Sequence, residues 1–284
     1  MRILDGIATL ADRYDGFILD LWGVVHNGRT PYPGVAPALA KLRARGKGVA
    51  FLSNAPRRSH VVDTLLTGMG LDRGLWDAII TSGELAWRAL RDREALGYGR
   101  RALHIGPERD LSTIEDLDIE LVADPAAADW VLNTGPDPER GNGAVEPYSP
   151  MLESCAARGL PMYCVNPDRF VMVGENRVIC AGALADLYVQ LGGPVAREIG
   201  KPDPAVYTPV LEALGIHDVA RVVAIGDSPH TDLAGAQAAG IDAVWALTGL
   251  AAHAHGAAPD PARLAEVAAE EGVRPIAALS ALRW

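Results

Sequence analysis

The sequence predicts an α/β fold: a doubly wound, Rossmann-like parallel-sheet core carrying an inserted α/β cap domain. Three observations predict it. Short unbroken apolar runs end in polar or charged residues, helical patterns separate them, and a long mid-chain stretch divides the early runs from the late ones. Unbroken runs suit strands buried on both faces of a parallel sheet, and alternating strand and helix signals mark the doubly wound class. The 284 residues accommodate two domains at the usual ~100–200 residues each.

Taken in order, the first strand is GFILD (Gly16 to Asp20) and the second GVAFLSN (Gly48 to Asn54). Between them, after Pro33-Gly34, Val35, Leu39 and Leu42 recur at helical spacing until Gly46. A second helix starts at Ser59, uses Val62, Leu65 and Leu66, and stops at the Gly68–Gly70 break. DAIITS (Asp77 to Ser82), RVVAIGD (Arg221 to Asp227) and AVWAL (Ala243 to Leu247) complete the core strands, with a helix from Thr231 to Gly240. From Thr81 to Ala181 the pattern gives helices near 83–95, 108–116 and 148–158. Among them lie strand-like runs at Arg101–Gly106, Trp130–Gly135, Met162–Asn166 and Phe170–Gly174. About a hundred residues is too long for a loop within one domain. The expected division is therefore a core of 1–81 and 182–284 with an insert of 82–181. The stretch from Ala251 to Pro261, rich in Ala, Pro and His, carries little chemical signal.

Composition removes several function classes. Lys+Arg total 26 against Asp+Glu 36, a formal charge of −10, the reverse of what a general nucleic-acid binder needs to neutralise phosphates. No run approaches the ~18 apolar residues that cross a bilayer, and the Asp-rich N-terminus is no secretory signal. Cys155, Cys164 and Cys180 make no short metal-type spacing and leave an odd thiol, which fits a reduced, cytoplasmic setting. They read as small buried hydrophobes.

Four signals could carry chemistry. Asp20 ends the first strand in D-L-W-G-V, and Ser53 and Asn54 end the second in F-L-S-N-A-P. Lys201 stands in I-G-K-P-D-P, and Asp227 and Asp232 in I-G-D-S-P-H-T-D. Singly, an Asp after a strand is most often a helix cap and Lys-Pro-Asp-Pro an ordinary turn. Together and in this order they are hard to explain as caps. In a parallel sheet, ligands sit beyond the carboxyl ends of the strands, which is where these residues fall.

With these four motifs, the chain resembles the haloacid dehalogenase superfamily, in its class IIA phosphatase branch with a large α/β cap (the NagD-like, 4-nitrophenylphosphatase-like and pyridoxal-phosphatase-like enzymes). The resemblance spans Asp20 to Asp232 and covers nearly the whole chain. It implies a phosphatase in which Asp20 attacks phosphorus to give an aspartyl-phosphate that water hydrolyses. It implies Mg²⁺ held by the Asp20 carboxylate, the Trp22 carbonyl and Asp227, with Asp232 steadying that shell or orienting Lys201. Lys201 would neutralise the nucleophile and the phosphoryl oxygens, Ser53 and nearby N–H groups would hold a phosphoryl oxygen, and Asn54 would reach the substrate, a small phosphorylated metabolite. Only Lys41, Lys47 and Lys201 are lysines, so a lysine at this place is telling. Large caps of this kind also suggest a homodimer.

One position departs from the family pattern. Where such phosphatases carry a second Asp two residues after the nucleophile, as acid to the leaving group and base to water, this chain has Trp22. Indole donates a hydrogen bond but cannot exchange a proton at neutral pH, and losing a positioned acid–base group forfeits ~10²–10⁴-fold in rate. Three readings follow: a phosphatase that is slow, favours good leaving groups or recruits a substitute such as His26; a carbon–halogen hydrolase, whose halide needs no proton; or a non-catalytic phospho-ligand binder. Intact Asp20, Lys201, Asp227 and Asp232 favour the phosphatase. In the cap, V-N-P-D-R-F (Val165 to Phe170) aligns with the specificity loop of the family. Arg169 would there meet a second anionic group of the substrate through a bidentate contact, while Asn166 and Asp168 shape the turn. Arg57 and Arg58 face substrate or solvent. Trp76, Trp87, Trp130 and Trp245 sit in apolar or helical patterns and read as core.

Overall fold

A parallel strand is most stable when neither face meets water, and the apolar runs of this chain arrange themselves accordingly. The computed structural model describes residues 1–174, 176–256 and 259–284; residues 257 and 258, within the Ala-, Pro- and His-rich stretch, lie outside the described residues. The chain opens with β1 (Ile3–Leu4), α1 (Ala8–Ala11), β2 (Gly16–Leu19), α2 (Val35–Ala44), β3 (Gly48–Ser53), α3 (Ser59–Gly68) and β4 (Ala78–Thr81). Next come α4 (Ser82–Leu90), β5 (Arg101–Ile105), β6 (Glu120–Val122), β7 (Trp130–Asn133), α5 (Ser149–Ala157) and β8 (Met162–Cys164). They are followed by β9 (Phe170–Val173), β10 (Asn176–Ile179), α6 (Ala181–Gln190), β11 (Arg197–Glu198) and α7 (Thr208–Leu214). The chain ends with β12 (Val222–Gly226), α8 (Ala234–Ala238), β13 (Asp242–Ala246), α9 (Gly249–His255), α10 (Pro261–Glu270) and β14 (Ala277–Leu279).

Seven strands form one parallel sheet in the order β1-β14-β13-β12-β2-β3-β4. Alternate residues of each strand feed two separate clusters. Phe17, Leu19, Val49, Phe51, Val223 and Ile225 pack on one face, and Ile18, Ala50, Leu52, Val222, Ala224 and Trp245 on the other. Both faces need apolar side chains, which is why the runs do not alternate. Fully burying each large side chain stabilises the fold by about 1.5–3 kcal/mol. The register then sets the site. Leu19 is paired with Ile225 and with Phe51, so Asp20, Ser53 and Asp227, each just past those partners, emerge at one edge of the sheet.

The second sheet has the order β11-β8-β7-β5-β6 and is also parallel, while β9 and β10 form a separate antiparallel hairpin. The helix α6 packs on this second sheet, with Leu184, Ala185 and Tyr188 in the cluster that holds Val131 and Met162. Strand β11 pairs with β8. Elements beyond residue 181 thus belong to the smaller sheet. Trp76, Trp130 and Trp245 are buried as expected. Trp87 is not core: it is half-buried, its ring lies 3.7 Å from the Arg58 guanidinium carbon, and its indole donates to the Glu115 carbonyl at 2.8 Å. No described helix is long and apolar enough to cross a membrane.

Candidate active site

The sheet edge brings together an ammonium and three carboxylates separated by more than two hundred residues of chain at the extremes. Lys201 Nζ donates to Asp20 Oδ1 at 2.6 Å, to Asp232 Oδ1 at 2.6 Å and to the Leu52 carbonyl at 3.0 Å. All three of its protons are used. Oxygens of Asp20, Asp227 and Asp232 lie within 4.8 Å of one another. Asp232 is spoken for at both oxygens, since the Ser228 N–H donates to its Oδ2 at 3.1 Å; it stands in the wide, π-type turn Pro229–Leu233. Asp227 is gripped from above by the Leu250 N–H, which donates to Oδ2 at 2.7 Å. Its carboxylate fills the space that a Cβ at Gly23 (φ +92) or Gly249 (φ +57) would occupy. Both positions have left-handed backbone as well as no room for a Cβ, so glycine is needed on two counts.

The electrostatics follow from burial. Desolvation lifts the Asp20 carboxyl to about 7 despite the attraction of Lys201. Burial, with repulsion from Asp20 and Asp232, pushes Asp227 well above the usual carboxylate range. Burial works against the charge on Lys201, but Asp20 and Asp232 outweigh it and hold the ammonium well above its ordinary value. Three clustered carboxylates with one ammonium leave an excess of buried negative charge. The donor set is hard oxygen, which suits Mg²⁺. The residues present therefore fit a divalent cation.

The other expected residues divide. Ser53 is buried and lines the cavity above this cluster, its Oγ accepting from the Ala55 N–H at 3.2 Å. Asn54 lines the cavity too, but its side chain is saturated. Its Nδ2 donates to Asp168 Oδ1 (2.9 Å) and to the Lys201 carbonyl (3.0 Å), and its Oδ1 accepts from the Lys201 N–H (2.7 Å) and the Ser82 hydroxyl (3.3 Å). With both amide protons and both lone pairs committed, Asn54 holds Lys201 in place rather than reaching for substrate. Arg169 is a clear correction. Its guanidinium is occupied by Asp186 (2.8 Å), Glu198 (3.0 Å) and the Pro167 carbonyl (2.7 Å), and it is not among the residues lining the cavity. Two acids brought in by α6 and β11 neutralise it.

Trp22 faces the cavity rim, and its indole Nε1 donates to the Met172 carbonyl of β9 at 2.9 Å. Trp22 thus ties the core to the hairpin. His26 stacks edge-on against it, with ring centroids 5.6 Å apart. The Nδ1 of His26 accepts from the Gly28 N–H at 2.9 Å, and burial, helped by Arg57, lowers its pKa to about 4. Its ring is neutral at pH 7 and fixed in a turn.

The cavity measures about 460 Å³. Phe170, Val171, Val173 and Val178 of the hairpin give it an apolar wall, and Arg57 and Asp110 a polar end, their carboxylate–guanidinium pair closing at 3.0 Å. Arg58 turns away to Glu84. Asp110 had no motif to announce it, and Asp168, which the sequence reads only as shaping a turn, also lines the cavity.

Residues 17–120 match the family model described as haloacid dehalogenase-like hydrolase, and residues 198–270 match a second HAD-hydrolase-like model. A crystal structure of a hydrolase of the haloacid dehalogenase-like family from Brucella suis 1330 is 34% identical, with a TM-score of 0.83 over 98% of this chain and 99% of that one. Human chronophin is 27% identical over 248 residues, 84% of this chain and 82% of its own. The D-glycerol 3-phosphate phosphatase of Mycobacterium tuberculosis is 26% identical over 245 residues, 85% of this chain and 65% of its own.

Proposed function

The chain belongs to the haloacid dehalogenase-like hydrolase family, and from that premise we propose that it is a Mg²⁺-dependent phosphatase acting on a small phosphorylated metabolite through an aspartyl-phosphate at Asp20. The observation that carries this reading is the pair of 2.6 Å contacts from Lys201 to Asp20 and Asp232, beside Asp227 at the floor of the cavity. Relatives named as phosphatases of glycerol phosphate and sugar phosphate support the class. The acidic cluster also has no use in a metal-free carbon–halogen displacement.

In this mechanism Asp20 Oδ2, which has no protein partner among the described hydrogen bonds, is the attacking oxygen or a metal ligand, while Oδ1 stays on Lys201. Lys201 pulls the Asp20 carboxyl part of the way back toward ionisation against desolvation and offers its charge to the phosphoryl oxygens. Ser53 Oγ donates to one of those oxygens. Asp232 and Asn54 are positioning residues that fix the Lys201 ammonium and backbone. Asp20, Asp227 and the Trp22 carbonyl would hold Mg²⁺. When bound, the ion supplies positive charge that lets an anionic nucleophile approach an anionic ester. The cap of this reading runs from residue 82 to about 199, longer than the 82–181 read from the sequence, because α6 and β11 pack on the smaller sheet.

The test is release of 4-nitrophenol from 4-nitrophenyl phosphate with Mg²⁺ and with EDTA. Metal-dependent release that disappears in Asp20→Asn is expected. Release that survives either treatment, or no release at all, would overturn the proposal.

A further inference from the structure

A phosphatase must deliver a proton to the leaving oxygen and remove one from water, and neither Trp22 nor His26 can do so here. The indole N–H is committed to the Met172 carbonyl, and the His26 ring is neutral with Nδ1 already accepting. Among the described residues outside the Asp20, Asp227 and Asp232 cluster, three carboxylates line the cavity: Asp110, Asp137 and Asp168. Asp110 is paired with Arg57 and Asp137 with Arg140. Asp168 has no ion-pair partner among the described residues. Its Oδ1 accepts one neutral hydrogen bond, from Asn54 at 2.9 Å, and the described hydrogen bonds leave Oδ2 free.

The carboxyl is also held still. The Asp168 N–H donates to Asn166 Oδ1 at 3.0 Å, and the Asp168 carbonyl accepts from the Gly182 N–H at 3.1 Å. Through Asn54, which binds both Asp168 and the Lys201 backbone, the carboxyl is fixed relative to the nucleophile's own cation.

We propose that Asp168, supplied by the cap, is the general acid–base of this enzyme. This rests on the phosphatase reading. In the first step an Asp20 oxygen forms a bond to phosphorus, the P–O bond to the leaving group breaks, and protonated Asp168 gives its proton to that leaving oxygen. In the second, the Asp168 carboxylate takes a proton from water as the water oxygen bonds to phosphorus. The bond from phosphorus to Asp20 then breaks, regenerating the Asp20 carboxylate, protonated Asp168 and inorganic phosphate. Burial raises the Asp168 carboxyl to about 6, with Lys201, the Asn54 hydrogen bond and Arg169 pulling it down and Asp232 pushing it up. Asp20, Cys164 and Cys180 also lie within its field. A group titrating there is poised for both proton transfers near neutral pH.

The test compares 4-nitrophenyl phosphate with phenyl phosphate, an ester of similar size and poorer leaving group, in the Mg²⁺-loaded protein. Asp168→Asn keeps an oxygen for Asn54 but cannot exchange a proton. Expected are a loss of ~10²–10⁴-fold in kcat on phenyl phosphate, a much smaller effect on the first step with 4-nitrophenyl phosphate, and a burst of 4-nitrophenol followed by slow turnover. The wild-type pH limb near 6 should vanish. Asp168→Glu, which restores a carboxyl, should recover part of the phenyl phosphate rate and confirm that the loss is not one of folding. Equal losses on both esters with no burst, or an unchanged rate, would overturn the role of Asp168 while leaving the phosphatase reading standing. Wild-type protein inert toward both esters would overturn both.

Discussion

Replacing Asp20 by Asn is expected to abolish turnover and yet to stabilise the metal-free fold at alkaline pH. The folded protein holds the Asp20 carboxyl at about 7 against an ordinary 3.8, because desolvation outweighs the attraction of Lys201. A raised carboxyl pKa makes folding progressively less favourable as pH rises from about 4 to about 7. Above both values the cost is about 4 kcal/mol, at ~1.4 kcal/mol for each tenfold change in proton affinity. Asn is isosteric and uncharged, so it escapes this cost. Lys201 is not orphaned by the change, since Asp232 Oδ1 and the Leu52 carbonyl remain at 2.6 and 3.0 Å. At roughly 2 °C per kcal/mol for a chain of this size, Asp20→Asn should melt about 8 °C higher than wild type at pH 8 in EDTA. The gap should shrink as pH falls and close near pH 4. Thermal melts of both proteins across pH 4–8 measure it. A variant melting at or below wild type at pH 8, or a gap independent of pH, would refute the claim that desolvation dominates at this carboxyl.

Two further substitutions probe the contacts that the fold supplies. Trp22→Phe keeps the ring packed against His26 but removes the hydrogen bond to Met172; a net loss of about 1 kcal/mol is expected, read as faster amide exchange confined to the β9–β10 hairpin. Arg169→Ala breaks the ion pairs with Asp186 and Glu198 and should leave the preference between dianionic and neutral phosphate esters unchanged, because its guanidinium does not reach the cavity; a lost preference in ester competition assays would reinstate it as a substrate contact.

The fold was legible because its physics is local and repeated. Each core strand needs apolar residues on both faces, so GFIL, GVAFLS and VVAIG stand out as unbroken runs, and the polar residues after them mark the sheet's functional edge. The weaker elements were silent. β6 is three residues with two exposed, and β11 is a two-residue edge strand, Arg197–Glu198, exposed throughout, so neither carries a hydrophobic signature. The second strand of the hairpin, Asn176–Ile179, is half polar. With β11 unseen, the membership of the smaller sheet beyond residue 181 could not be read.

By itself, then, the sequence determined the class of chemistry: Asp20, Lys201 and Asp227 are named by short motifs whose positions a parallel sheet converts into proximity. Only the tertiary structure decided what each remaining polar group is free to do. Asn54 is saturated by partners 114 and 147 residues away, Arg169 is neutralised by acids on two later elements, Trp22 is tied to a carbonyl 150 residues on, and Asp168 keeps an oxygen for the cavity. The reason is that a hydrogen-bonding group's availability depends on who else reaches it, and the competitors come from distant parts of the chain that only packing brings within three ångströms.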